Sequence, residues 1–337
     1  MEGRARGLAW ATGGILMVTP DSVLVRWMRS EGATVLQVFI YKYLSVAIIL
    51  SIFIVVHVGG CSNIIKSIRA GPKHILVAAL CQVGVSYGLN LAFAYTVVAR
   101  ALFGLALSVV WSALLSRAIL KETLPIRTVL TVVCAIACAF VVYLPGFVPS
   151  LGNSSLVDSQ ATVHGDLFGV FSGASLGVAI ATARSAGLRA PGCETILGLL
   201  FGTPLVVMIA IIWSAALGSP IIASTKIALI GLLNGVCVGC CYFGTLLAPR
   251  YILSAEVGLI GLLELVLGPI WVFAGFGEVP SVFTFVGGGM LIVVLALHEI
   301  SGCMAAKRSA KHSSSGGSQS SSAGDDAIAK PVELEVI

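Results

Sequence analysis

Charge is scarce in this chain: Asp, Glu, Lys and Arg make up only 10% of its 337 residues, against roughly 25% in a soluble domain. Hydrophobic residues reach 58% and the mean hydropathy is +1.03, more apolar surface than a water-soluble globule can hide. Strict apolar/polar alternation is also missing, which excludes an outer-membrane barrel. No phosphate-binding loop, dinucleotide fingerprint, HExxH or GxSxG is present, so no ATP-driven pump or enzyme is expected and no cofactor is implied. The histidines give no constellation either, since His57, His74, His164 and His298 lie at span edges and His312 lies in the tail. The nine cysteines have no metal-ligand spacing, and several (Cys134, Cys138, Cys237, Cys240, Cys241) fall inside apolar runs. They are expected to be reduced and to pack as small soft side chains. The net charge of +5 points to no nucleic acid, because the cations sit in loops beside apolar runs.

What the chain has instead is long apolar runs. Ten are read as spans: 7–28, 35–57, 75–97, 99–119, 126–144, 165–186, 194–217, 226–247, 252–275 and 281–299. Each is near the ~20 residues needed to cross a bilayer core of ~30 Å. The first run is too long for a signal sequence and holds Pro20, Asp21 and Arg26, so it is read as a retained span. Segment 145–164 contains Pro, Gly and Ser but no Lys or Arg, and it parts the spans five and five. Five is odd, so the second set enters the membrane inverted. The expected architecture is an all-α polytopic membrane protein of ten transmembrane helices in two inverted five-helix repeats. These are 1–144 and 165–302, with 145–164 as an extracytoplasmic loop and 303–337 as a disordered cytoplasmic tail rich in Ser and Gly.

Cationic residues orient the chain. With a cytoplasmic N-terminus, 14 of them fall inside (Arg4, Arg6, Lys66, Arg69, Lys73, Arg117, Lys121, Arg127, Arg184, Arg189, Arg250, Lys307, Arg308, Lys311). Only 4 fall outside, namely Arg26, Arg29, Arg100 and Lys226. Both termini are therefore expected in the cytoplasm, in a plasma membrane or an endomembrane. The same orientation puts Asn153 outside, within an Asn-Ser-Ser acceptor triplet for N-glycosylation.

Polar residues at bilayer depth are the candidate site, because a charge there costs a few kcal/mol, on the order of 2.5–3.5, unless it serves a purpose. Asp21 follows a helix-breaking Pro20, and Lys42 lies between Tyr41 and Tyr43. Gln82, Ser86 and Asn90 recur every fourth residue and share one face; Ser108, Trp111 and Ser112 share another. Asn234 lies on a face with Cys237 and Cys241, and Glu264 stands near mid-span, two turns before Trp271. Lys42 is expected to pair with Asp21 or Glu264. A small-molecule substrate is expected to meet Lys42, Glu264, Asp21, Gln82, Asn90, Trp111, Asn234 and Trp271, with a proton or counter-substrate as the coupled partner. Ladders Gly169/Gly173/Gly177 and Gly231/Gly235/Gly239 are expected to let helices approach closely.

The stretch from Ser254 to Glu299 ties these readings together. It has a diluted copy 156 residues upstream, where Glu122 corresponds to Glu278, Leu107 to Leu263 and Ala118 to Ala274. Its Ser254-Ala255 start, mid-span Glu264, Pro269, Gly277-Glu278 turn and Gly287–Gly289 resemble the end of an EamA-type repeat of the drug/metabolite transporter superfamily. The upstream copy has Lys121-Glu122 for Gly-Glu and Ala113 in place of Pro269, and Lys42 stands where the family often has Arg. The resemblance covers about 7–299. It implies a secondary transporter of a small polar metabolite, amino-acid-like or related, with alternating access around a midplane cavity. Competing expectations are a sugar-phosphate or nucleotide-sugar antiporter of the same superfamily, and a non-transporting scaffold that acts through its C-terminal tail.

Overall fold

The computed structural model describes residues 2–120, 126–147, 162–248, 251–252 and 254–316. Asn153, Lys121, Glu122 and residues 317–337 lie outside this set, as does most of the 145–164 segment. The described residues form thirteen helices: α1 (Glu2–Val18), α2 (Asp21–Ser30), α3 (Val35–Val58), α4 (Cys61–Ala70), α5 (Pro72–Tyr95), α6 (Val98–Ala106), α7 (Ser108–Leu120), α8 (Ile126–Phe147), α9 (Val163–Arg189), α10 (Leu197–Ala216), α11 (Thr225–Leu247), α12 (Ser254–Phe276) and α13 (Val282–Gly316). Eight spans are long and apolar enough to cross a membrane, with α1–α2 and α6–α7 each counting as one broken span. The fifth and ninth expected spans are the shorter apolar segments Thr128–Leu144 of α8 and Ile260–Phe276 of α12. Apolar side chains such as Ile222, Phe285 and Phe140 remain on the outside, as a bilayer solvent allows.

Two features differ from the expectation. A short helix, α4, occupies the link between the second and third spans, with Ile64 and Ile68 half-buried and Lys66 and Arg69 exposed. The last helix also runs beyond residue 302 to Gly316, so the first part of the expected tail is helical. The segment Cys303-Met304-Ala305-Ala306-Lys307-Arg308 holds strong helix formers, and a Ser/Gly-rich average over the whole tail concealed them.

Packing joins the two halves of the chain. α9 lies against α5, α6 and α7, and α10 against α3 and α5. α11 lies against α1 and α3, α12 against α1, α2 and α6, and α13 against α8. Both glycine ladders serve these crossings. A Cβ at Gly173 would meet the Gly104 carbonyl, and one at Gly235 would meet Ser45 Oγ and the Lys42 carbonyl. The triplet divides its work: Gly287 packs on Cys138 and Val142 of α8, whereas a Cβ at Gly288 or Gly289 would meet nothing. Those two instead line an apolar groove of about 460 Å³ with Phe103, Pro269 and Phe273. The eight cysteines from Cys61 to Cys241 are free thiols.

Candidate functional site

The centre begins at a break in the first span. Pro20 has no N–H to give the carbonyl of Leu16, and Thr19 Oγ1 donates to that carbonyl instead at 2.9 Å. The helix restarts at Asp21, which therefore sits in the first turn of α2, where the helix dipole favours a carboxylate. Lys42 of α3 reaches this carboxylate with Nζ 2.6 Å from Oδ1 and 2.8 Å from Oδ2. The pair is taken fully out of solvent, Lys42 being 1% and Asp21 4% exposed. Of the two expected partners for Lys42, Asp21 is the one in contact.

Two amides complete the first layer of contacts. Asn90 of α5 accepts from Lys42 Nζ at 3.0 Å, and its own nitrogen donates to the Tyr43 hydroxyl (3.0 Å) and the Ser86 carbonyl (2.8 Å). Asn234 of α11 donates from Nδ2 to Asp21 Oδ1 at 2.9 Å. Gly231 and Gly235 bring α11 against α3 beside Lys42, so Asn234 reaches Asp21 only because its flanking positions lack side chains. The α5 stripe continues through Gln82, whose nitrogen contacts Ser86 Oγ (3.2 Å) and the Tyr242 hydroxyl (3.0 Å). The Lys42 ammonium also lies 5.4 Å from the Tyr43 ring centroid, within cation–π range.

Three predicted residues stand apart from this core. Glu264, half-buried on α12, makes no direct bond to it but lies close enough to Asp21 and Lys42 to feel both charges. Trp271 donates from Nε1 to Thr19 Oγ1 at 3.0 Å, steadying the break that positions Asp21, while its ring is largely exposed. Trp111 is not part of the centre: it packs in the apolar cluster of α7, α8 and α13.

A second polar layer lies where α2 ends and α9 begins. Arg26 Nη2 pairs with Glu278 Oε2 at 3.0 Å and donates to the Thr96 carbonyl at 2.8 Å. Glu278 Oε1 accepts from the Val98 amide at 2.7 Å. Thr96 Oγ1 donates to Asp166 Oδ1 at 2.8 Å, and Arg100 Nη2 pairs with Asp166 Oδ2 at 2.7 Å. Arg100 is 2% exposed and lies 5.5 Å from the Tyr143 ring centroid. Arg26 and Arg100, expected as external loop cations, are thus inside the bundle, each facing a carboxylate. Both cations come from the first half of the chain and both acids from the second. Sequence reasoning missed this layer because it counted the arginines for orientation and never asked which acids, Asp166 and Glu278, stand at the same end. Tyr43, Ser86 and Tyr242 were also missed as site partners, although Ser86 shares the stripe of Gln82 and Asn90.

No protein-family model matches the chain, and no curated protein matches it in sequence. Among solved structures, one described only as the crystal structure of a protein superposes with a TM-score of 0.53 at 15% identity, covering 88% of this chain and 95% of the other. That likeness speaks for the fold alone.

Proposed function

We propose that this chain is a secondary transporter of the EamA type, moving a small polar metabolite by alternating access. One observation carries the reading. A fully buried Asp21–Lys42 pair, held by Asn90 and Asn234, lies where α2, α3, α5 and α11 converge, well inside the apolar spans. Replacing such a pair by packed apolar residues is often neutral or stabilising, so stability alone gives no reason to keep it. Intramembrane ion pairs lining a substrate path do give one.

Further support comes from how the helices pair. Counting α1–α2 and α6–α7 as single spans gives ten, α4 excluded. An exchange of the two halves carries the α5–α9 contact onto α11–α1, α3–α11 onto α10–α5, and α6–α9 onto α12–α1; α3–α10 and α8–α13 map onto themselves. An inverted repeat would give this reciprocity, and would put the site at the shared interface. With cytoplasmic termini, the Arg26–Glu278 and Arg100–Asp166 layer closes the external end. The sugar-phosphate alternative requires cations free to meet phosphate. Lys42, Arg26 and Arg100 each already face a carboxylate, which favours a substrate of low net charge.

The test is an untargeted comparison of metabolite uptake and efflux in vesicles carrying the parent or Lys42→Met protein. Transport is expected from the parent and strongly reduced transport from the variant. Identical metabolite profiles with and without the parent would sink the reading. Truncation after residue 302 should leave transport largely intact, whereas a scaffold that acts through its tail would lose its effect.

A further inference from the structure

Hydrogen-bond capacity at the centre is unevenly spent. An ammonium has three donors, and all three of Lys42 are used, on Asp21 Oδ1, Asp21 Oδ2 and Asn90 Oδ1. Both N–H groups of Asn90 are used as well, on Tyr43 and Ser86. Acceptors are left over. Asn234 is 0% exposed, yet its Oδ1 has no hydrogen-bond partner among the described residues. Such an orphan in the interior of a native protein calls for an explanation. Among the described residues, Asp21 Oδ2 accepts only from Lys42, and Glu264 on the neighbouring α12 makes no hydrogen bond or ion pair. The formal charges lean the same way, with one cation, Lys42, against two carboxylates, Asp21 and Glu264.

We infer that this centre binds the ammonium group of its substrate, held between Asp21, Asn234 Oδ1 and Glu264, and that Lys42 positions Asp21 without binding a substrate anion. The inference rests on the transport reading above and names the chemical class that the site takes. Geometry permits it. Asn234 Nδ2 is 2.9 Å from Asp21 Oδ1, and the two heteroatoms of an amide are about 2.2 Å apart. Asn234 Oδ1 is therefore within about 5 Å of that carboxylate oxygen, a gap that one nitrogen bridges with two ordinary hydrogen bonds of about 2.8 Å each. Glu264 supplies the counter-charge that Asp21 cannot, because Lys42 already neutralises Asp21. A substrate anion fares worse. To bind it, Lys42 must release Asp21 or Asn90, and releasing Asp21 strands a buried carboxylate.

The experiment uses the full chain in proteoliposomes and three probes with one carbon frame: isoamylamine, leucine and 4-methylpentanoate. They are offered beside an equimolar mixture of other small amines, amino acids, carboxylic acids and phosphate esters. Uptake restricted to nitrogen bases and amino acids is expected. Transport of acids or phosphates that lack an amino group would overturn the ammonium site while leaving transport standing. No transport of any class would overturn both readings. Two variants then locate the site. Asn234→Leu and Glu264→Gln should each raise KM for the transported amine at least tenfold, with the melting temperature near that of the parent. Unchanged KM in both, in folded protein, rejects the assignment. Lys42→Met should lower transport of an amine and of its matching amino acid by the same factor. A loss confined to the amino acid would make Lys42 the carboxylate-binding group and overturn its role as a positioning residue.

Discussion

Glu278→Gln separates a static staple from a moving closure. The substitution keeps a side-chain oxygen for the Val98 amide, now 2.7 Å away, and removes the charge that faces Arg26 at 3.0 Å. Side-chain exposures of 17% for Arg26 and 12% for Glu278 put the pair between the exposed class, worth about 0–1 kcal/mol, and the fully buried class, where breaking costs about 3–5 kcal/mol. About 2 kcal/mol is the consistent value. If the pair exists only while the external end is closed, all of that difference enters the open/closed equilibrium, a shift of roughly 30-fold. The assay places a cysteine at Ser22, 3% exposed beside the Gly268 carbonyl, and follows its modification by a membrane-impermeant thiol reagent added outside. Labelling of the same protein without that cysteine is subtracted. The parent should react slowly and the Glu278→Gln variant on the order of 30-fold faster. Arg26→Lys should fall between them, because it keeps the charge but its ammonium reaches less far than Nη2, the one nitrogen that meets both Thr96 and Glu278. A lowered melting temperature with unchanged labelling would show that the pair holds the halves together and never parts.

Lys42→Met leaves Asp21 buried and unpaired and should cost about 3–5 kcal/mol in thermal unfolding, while Asp21→Leu combined with Lys42→Met should recover most of that loss. A double variant as unstable as the single one would refute the pairing argument. Gly173→Ala forces a methyl onto the Gly104 carbonyl and should destabilise by about 1–3 kcal/mol, whereas Gly289→Ala, with open space around it, should be neutral or slightly stabilising. A cysteine introduced at Ser159 should label from outside only, and labelling from the cytoplasmic side alone would reverse the orientation. Lys226, 2.6 Å away, holds the exposed Glu31 carboxyl below its usual 4.5. Its small contribution is therefore complete above that pH and is lost as pH falls through the lowered value. Glu31→Gln should match the parent in acid or high salt and fall slightly below it only near neutrality at low salt.

The apolar spans were legible because a period and a length suffice to recognise them. The helix break at Pro20, the stripe of Gln82, Ser86 and Asn90, and both glycine ladders were legible for the same reason: each is a local pattern along one helix. Asp21 and Lys42 announced themselves because charge at bilayer depth demands a partner. What a single sequence withholds is which helix faces which. That choice decides between Asp21 and Glu264 as the partner of Lys42, and it moves Trp111 away from the centre. The outer layer was hidden for another reason. Arg26 and Arg100 lie near span ends, where composition makes them indistinguishable from loop cations, and their burial appears only when Glu278 and Asp166 arrive from 252 and 66 positions away in the chain.

The two polar layers share their supports. Asp21 and Arg26 are five residues apart on the same short helix, α2, so about 7.5 Å of rigid rod separates the centre from the Arg26–Glu278 pair. Glu264 lies on α12 and Glu278 two residues past its end, with Pro269 between them. Each layer therefore has one acceptor or ion-pair member on α2 and another on α12 or the turn that follows it, and α2 and α12 pack against each other. A group bound between Asp21 and Glu264, as proposed, would draw α2 and α12 together or turn one past the other about the Thr19–Pro20 break. Arg26, within α2, and Glu278, just past the end of α12, would then shift with them. If the chain transports as proposed, occupancy at the centre and closure at the Arg26–Glu278 pair would be two readouts of one relative position, the coupling that alternating access requires. The contact that would transmit it is specific: Ser22 of α2 donates to the Gly268 carbonyl of α12 at 3.5 Å, one residue before Pro269 removes the neighbouring helical hydrogen bond.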